Sequence, residues 1–181
     1  MSLPNLISLG RLMAVPLAVW LILNDLLLAA FWLFIAAGIS DAVDGYLAKR
    51  LNAETVLGKY LDPLADKALL VSVFISLGAV GYLQSWLVIL VVFRDALIVS
   101  GALLYHTMTQ KLTLQPLWIS KLNTAAQIVL VAMLLGERGM DLPIHMATQL
   151  MVFATALTTF ASGAAYVYEW TRRAATFEEG E

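Results

Sequence analysis

The chain has 181 residues, 61% of them hydrophobic and 13% charged, against roughly 45–50% and 25% in ordinary soluble domains, so its composition is that of a membrane protein. A formal charge of −2 with dispersed basic residues provides no phosphate-tracking stripe and no reason to expect nucleic acid as a partner. The lack of cysteine excludes a disulfide, a thiolate nucleophile and a Cys-ligated zinc.

The opening MSLPNLISLGR carries no basic region ahead of its apolar run and no small-residue cleavage signature, so it is expected to belong to the mature chain. Six apolar stretches follow that are long enough to cross a hydrocarbon layer of ~30 Å: Leu6–Leu23, Leu27–Leu47, Val56–Leu83, Trp86–Tyr105, Ile119–Leu135 and Ile144–Tyr168. A soluble helical bundle would need polar outer faces, whereas several of these segments are apolar all the way round. The expected fold is all-α, an integral membrane bundle of six transmembrane helices.

The short connections alternate in charge. The turn at Asn24-Asp25 and the loop Gly136–Leu142 hold acids and only Arg138, and the turn at Tyr82–Ser85 is uncharged. Arg11, Lys49, Arg50, Lys59, Lys111, Lys121, Arg172 and Arg173 collect on the other side, which by the positive-inside rule makes both termini cytoplasmic. With no repeat, linker or low-complexity run, residues 1–173 are expected to form one domain, followed by a solvated tail over 174–181.

Between the second and third segments the sequence turns acidic. At about 100° per residue, Asp41, Asp44, Gly45 and Ala48 share one helix face, and Gly58, Asp62 and Asp66 share a face of the next segment. Carboxylates in lipid are costly unless paired, metal-bound or facing a polar cavity. Four at helical spacing point to a hard divalent cation such as Mg²⁺ or Mn²⁺. The competing reading makes Asp41 and Asp62 helix caps and pairs Asp66 with Lys67 or Arg94. It does not explain why small residues, Gly45, Ala48 and Gly58, lie beside the acids, where they let a ligand approach the backbone. Carboxylate-held metal with basic residues nearby suits a diphosphate and phosphoryl transfer, with an aspartate at the cluster's edge as the base. Acids on membrane helices also line ion paths, so a divalent-cation transporter is the alternative of another class. The segments become apolar beyond Asp41 and Asp66, which favours a one-sided pocket.

Two more polar stripes recur at helical spacing. Ser120, Asn123, Thr124 and Gln127 form one, beside Lys121. Thr155, Thr158, Thr159, Ser162 and Tyr166 form the other, read as interhelical hydrogen bonding or a subunit interface. Arg94 lies mid-segment, where a buried cation points to function or to a pair with Asp95. His106 and His145 are read as structural residues in or near loops.

The pattern Asp41-x2-Asp44-Gly45-x2-Ala48-Lys49-x8-Gly58-x3-Asp62-x3-Asp66 resembles the signature of the CDP-alcohol phosphatidyltransferases. One position departs from it: Lys49 stands where the family has Arg, keeping the charge but not the bidentate fork, with Arg50 beside it as a substitute. The opening Pro4-Asn5-Leu6-Ile7-Ser8 with Arg11, the run Leu61–Lys67, Arg94-Asp95 and Ile119–Gln127 are similar to the CMP-forming cardiolipin synthase branch. The resemblance implies six membrane helices, a homodimer and transfer of a phosphatidyl group from CDP-diacylglycerol to phosphatidylglycerol. It implies metal ligation by Asp41, Asp44, Asp62 and Asp66, with Asp66 also the base. Asn5, Ser8, Gly45, Ala48, Lys49 and Gly58 would border the cytidine diphosphate group, and Lys67, Arg94 and Lys121 would meet the acceptor. Phosphatidylglycerophosphate synthase, with glycerol-3-phosphate as acceptor, is the near alternative. The expected location is a bacterial cytoplasmic membrane, with the site facing the cytoplasm.

Overall fold

The computed structural model describes the backbone of residues 3–51, 56–109 and 118–178, and side chains over 9–41, 43, 65–101 and 118–172. Six helices appear in order: α1 Leu3–Leu23, α2 Leu27–Leu51, α3 Val56–Ala79, α4 Ser85–Thr109, α5 Trp118–Gly139 and α6 His145–Glu178. All six expected segments are present. α6 continues ten residues past Tyr168, because TRRAATFE holds no glycine or proline to stop it.

The helix ends at one side are built alike. Leu26 N–H reaches the Leu21 carbonyl at 2.9 Å and Asp25 N–H reaches Ile22, with Asp25 at φ 60°, which is a Schellman cap. Gly81, at φ 81°, closes α3 in the same way, through Tyr82 N–H to Leu77 and Gly81 N–H to Gly78. It ends that helix earlier than the expected Leu83. Beyond α5, Asp141 at φ 52° lets Leu142 N–H return to Glu137 at 3.1 Å. An aspartate tolerates this left-handed conformation better than bulkier side chains.

Two compact units emerge, one formed by Met1–Gln84 with Val131–Thr148 and the other by Ser85–Leu130 with Gln149–Glu181. In the first, α1 packs against both α2 and α3. Ala18, Ile22, Ala30, Val73, Phe74 and Leu77 are nearly inaccessible there. Gly139 lies so near the start of α2 that a methyl group on it would meet the Leu28 backbone nitrogen at 2.7 Å. Glycine is therefore required for this close approach. At the capped side, the Tyr82 hydroxyl donates to Asp25 at 2.5 Å, which pushes its pKa above the ordinary phenol value. The Arg138 guanidinium lies 5.1 Å from the Tyr82 ring centroid.

In the second unit the usual distribution of polarity is inverted. On α6, Thr155, Thr159 and Ser162 are 0% exposed, while Leu150, Phe153, Leu157 and Phe160 are each more than 60% exposed. Water would not support that arrangement, and a hydrocarbon solvent does. α5 and α6 are also long and apolar enough to cross a membrane, over Trp118–Gly139 and His145–Arg172.

The α6 stripe makes the interhelical hydrogen bonds expected of it, as Thr158 and Thr159 donate to Asn123 Oδ1 at 3.0 and 2.7 Å. Glu137, expected in a loop, lies buried in the last turn of α5. His145 opens α6, with Nδ1 3.0 Å from Glu137 Oε1, and so has the carboxylate partner that the sequence did not reveal. His106 lies in the last turn of α4, near a loop as expected, and its side chain is outside the described residues.

Candidate functional site

The first unit gathers one part of the acidic stretch. Asp41 lies in the second half of α2 and Asp66 in the first half of α3, on the side away from the Schellman caps. α1 brings Arg11 between them. Its Nη1 donates to Asp41 Oδ1 at 2.5 Å and also to Asp66 Oδ1. A single cationic nitrogen is thus shared by two carboxylates from two helices. The Arg11 side chain is 2% exposed, whereas Asp41 and Asp66 keep 48% and 41%, so the acids remain open to a ligand on the face away from Arg11.

That convergence is the structural test of a cation site. Two carboxylate oxygens aimed at one positive atom form the donor set a hard divalent ion uses, and their exposure leaves a way in. Asp44 stands three residues after Asp41 on α2, and Asp62 four residues before Asp66 on α3. Asp41 and Asp66 thus supply two carboxylates that suit a hard divalent ion. Among the described residues no group of three or more metal-ligating side chains is found. The side chains of Asp44, Gly45, Ala48, Lys49, Gly58 and Asp62 lie outside the described residues, as do those of Asn5 and Ser8 on α1. Lys67 follows Asp66 on α3 and is half-buried.

Arg11 is the residue that sequence reasoning missed. It read as a topology determinant within the positive-inside set, and its partners stand 30 and 55 positions away. The available signal was an arginine inside an apolar segment, which calls for a carboxylate partner.

Arg94 and Lys121 belong to the second unit. Arg94, on α4, is 3% exposed. Its Nη1 donates to Asp95 Oδ1 at 2.7 Å, its Nη2 to Ser120 Oγ at 2.7 Å, and its Nε to Ser162 Oγ at 3.1 Å. Nη2 reaches Ser162 as well. The Tyr166 ring lies 5.9 Å from the guanidinium. Of the two predicted readings of Arg94, the pair with Asp95 is present, and polar groups from two further helices hold the guanidinium as well. Lys121, next to Ser120 on α5, is exposed. The Gln127 carboxamide, on the same helix, is fully buried, with no partner for either polar atom among the described residues.

Helices that are apolar outside and polar inside, with acids converging on a cation, define an integral membrane protein with a carboxylate-lined polar site. The profile of the CDP-alcohol phosphatidyltransferase family matches residues 1–161, and the chain belongs to that family. It is 37% identical over 185 residues to the chloroplastic CDP-diacylglycerol–glycerol-3-phosphate 3-phosphatidyltransferase 1 of Oryza sativa subsp. japonica, covering 92% of this chain and 56% of that protein. With the CMP-forming cardiolipin synthase of Rattus norvegicus it shares 31% over 196 residues, covering 99% and 65%. With the CDP-diacylglycerol–glycerol-3-phosphate 3-phosphatidyltransferase of Bacillus subtilis it shares 32% over 181 residues, covering 91% and 93%. The chain thus spans little more than half of the rice protein and under two thirds of the rat protein.

Proposed function

We propose that this chain transfers a phosphatidyl group from CDP-diacylglycerol to the hydroxyl of phosphatidylglycerol, forming cardiolipin and releasing CMP. The observation that carries the transferase reading is the convergence of Asp41 and Asp66 on one cationic nitrogen within a family matched over residues 1–161. Asp41, Asp44, Asp62 and Asp66 would hold Mg²⁺ or Mn²⁺, which supplies charge neutralisation at the diphosphate. Gly45, Ala48 and Gly58 leave room for the cytidine diphosphate group, bordered by Asn5, Ser8 and Lys49. Arg11 keeps Asp41 and Asp66 from repelling one another.

The Asp66 carboxylate takes the proton from the acceptor hydroxyl. The hydroxyl oxygen attacks the phosphorus that bears diacylglycerol, a new P–O bond forms, and the bond to the CMP phosphate oxygen breaks. Arg94 and Lys121 contact the acceptor's phosphodiester, and Lys67 offsets the acidic cluster. By the positive-inside rule this chemistry would face the cytoplasm, in a bacterial membrane, and the family resemblance suggests a homodimer.

The choice of acceptor rests on charge. Asp95 pairs with Arg94 at 2.7 Å, and among the described residues no ion pair is found for Lys121, the other candidate cation of that unit. A monoanionic phosphodiester suits this balance better than a dianionic phosphomonoester. The names of the rice and Bacillus relatives support the second reading, with glycerol-3-phosphate as acceptor and phosphatidylglycerophosphate as product. Purified protein given CDP-diacylglycerol, Mn²⁺ and each acceptor in turn decides between them by mass spectrometry of the lipid product. Cardiolipin from phosphatidylglycerol is expected; phosphatidylglycerophosphate alone would transfer the assignment to the second reading.

A further inference from the structure

We infer that Ser162 is a positioning residue for the acceptor site, acting through Arg94; this rests on the reading of Arg94 as the acceptor's anion contact. Arginine carries five N–H donors in a rigid fork. In this chain Ser162 Oγ receives two of them, from Nε and Nη2, Ser120 Oγ receives one from Nη2, and Asp95 Oδ1 receives one from Nη1. Among the described residues no acceptor takes the second Nη1 donor, which is directed to a ligand oxygen in this reading. Because Ser162 engages both Nε and Nη2, it fixes the rotation of the guanidinium plane and therefore the direction of that last N–H.

The bracket is itself held in place. Ser120 and Asn123 are three residues apart on α5, and Ser162 follows Thr158 and Thr159 by four and three on α6. Asn123 Oδ1 accepts from both threonines, locking the two helices together one turn from the serines. Tyr166, one turn beyond Ser162, puts its ring near the guanidinium at 5.9 Å and limits its tilt. Asp95 alone would neutralise the charge. The two serines add direction, which charge neutralisation does not need and a ligand contact does.

The test is a kinetic double-mutant cycle with both substrates varied, using the full chain in Mn²⁺. Ser162→Ala is expected to raise the acceptor KM about tenfold, with kcat within about threefold and the CDP-diacylglycerol KM unmoved; this corresponds to losing about one to two hydrogen bonds. Ser162→Thr, which keeps the hydroxyl, restores the acceptor KM to within about threefold. In an Arg94→Lys background, which lacks Nε and the fork, Ser162→Ala adds less than about twofold. Ser120→Ala, a milder change, raises the acceptor KM by about threefold and serves if Ser162→Ala does not fold. A Ser162→Ala effect carried by kcat, by both KM values equally, or undiminished in the Arg94→Lys background would make Ser162 merely structural and overturn the inference. If Arg94→Lys itself leaves the acceptor KM unchanged, the acceptor reading of Arg94 fails. If Arg94→Lys raises it while neither serine variant does, only the positioning role fails.

Discussion

Asp66→Asn is expected to lower kcat by about a thousandfold or more while leaving CDP-diacylglycerol binding largely intact. Asparagine matches aspartate in shape and keeps an oxygen to accept from Arg11 Nη1, so the junction of α1, α2 and α3 survives. What it loses is the ability to take a proton, worth about 10²–10⁴ in rate, and one negative charge toward the metal. Single-turnover CMP release and equilibrium binding of labelled CDP-diacylglycerol separate these losses. Activity within about threefold of wild type would refute Asp66 as the base.

Arg11→Ala is expected to destabilise the protein in chelator and to make its stability depend on divalent cation. Arg11 is 2% exposed and contacts both Asp41 and Asp66. Without it, two carboxylates from different helices face one another with no counter-ion recorded among the described residues. Removing one member of a buried pair costs about 3–5 kcal/mol, but the acids here are 48% and 41% exposed and water offsets part of that, leaving about 1–3 kcal/mol. At about 2–4 °C per kcal/mol for a chain of this size, the midpoint falls by roughly 5 °C in EDTA. Mn²⁺ then raises it more in the variant than in wild type, because the ion supplies the charge that arginine supplied. Equal midpoints in EDTA and equal Mn²⁺ shifts would show that Arg11 is not the counter-ion of Asp41 and Asp66.

The helices were legible because each apolar run is bounded by a turn or a charged stretch. Boundaries were less so. Asp25, Gly81 and Asp141 adopt positive φ, yet only Gly81 has the residue type that announces such a stop. Glu137 read as a loop residue because Gly136 and Gly139 flank it; α5 runs through both before the cap at Asp141. Spacing revealed the α6 stripe, but periodicity along one helix does not tell whether the opposing surface is the same chain or another copy. Here Asn123 and Arg94 supply it.

In the acidic stretch, shared helix faces let the sequence group the carboxylates. That Asp41 and Asp66 meet at one atom depends on packing α1 between distant parts of the chain, and no local rule contains it. Asp95, next in sequence to Arg94, was legible as its partner, whereas Ser120 and Ser162 come from α5 and α6 and depend on packing in the same way.

The central claim is that the carboxylates, with a divalent ion, carry out CMP-releasing transfer. Its most direct test is CMP release by purified protein from CDP-diacylglycerol, measured with an alcohol acceptor in Mn²⁺ and again in EDTA. Acceptor-dependent release in Mn²⁺ that EDTA abolishes and added Mn²⁺ restores is the predicted result. No CMP with either phosphatidylglycerol or glycerol-3-phosphate, or release indifferent to EDTA, would contradict it.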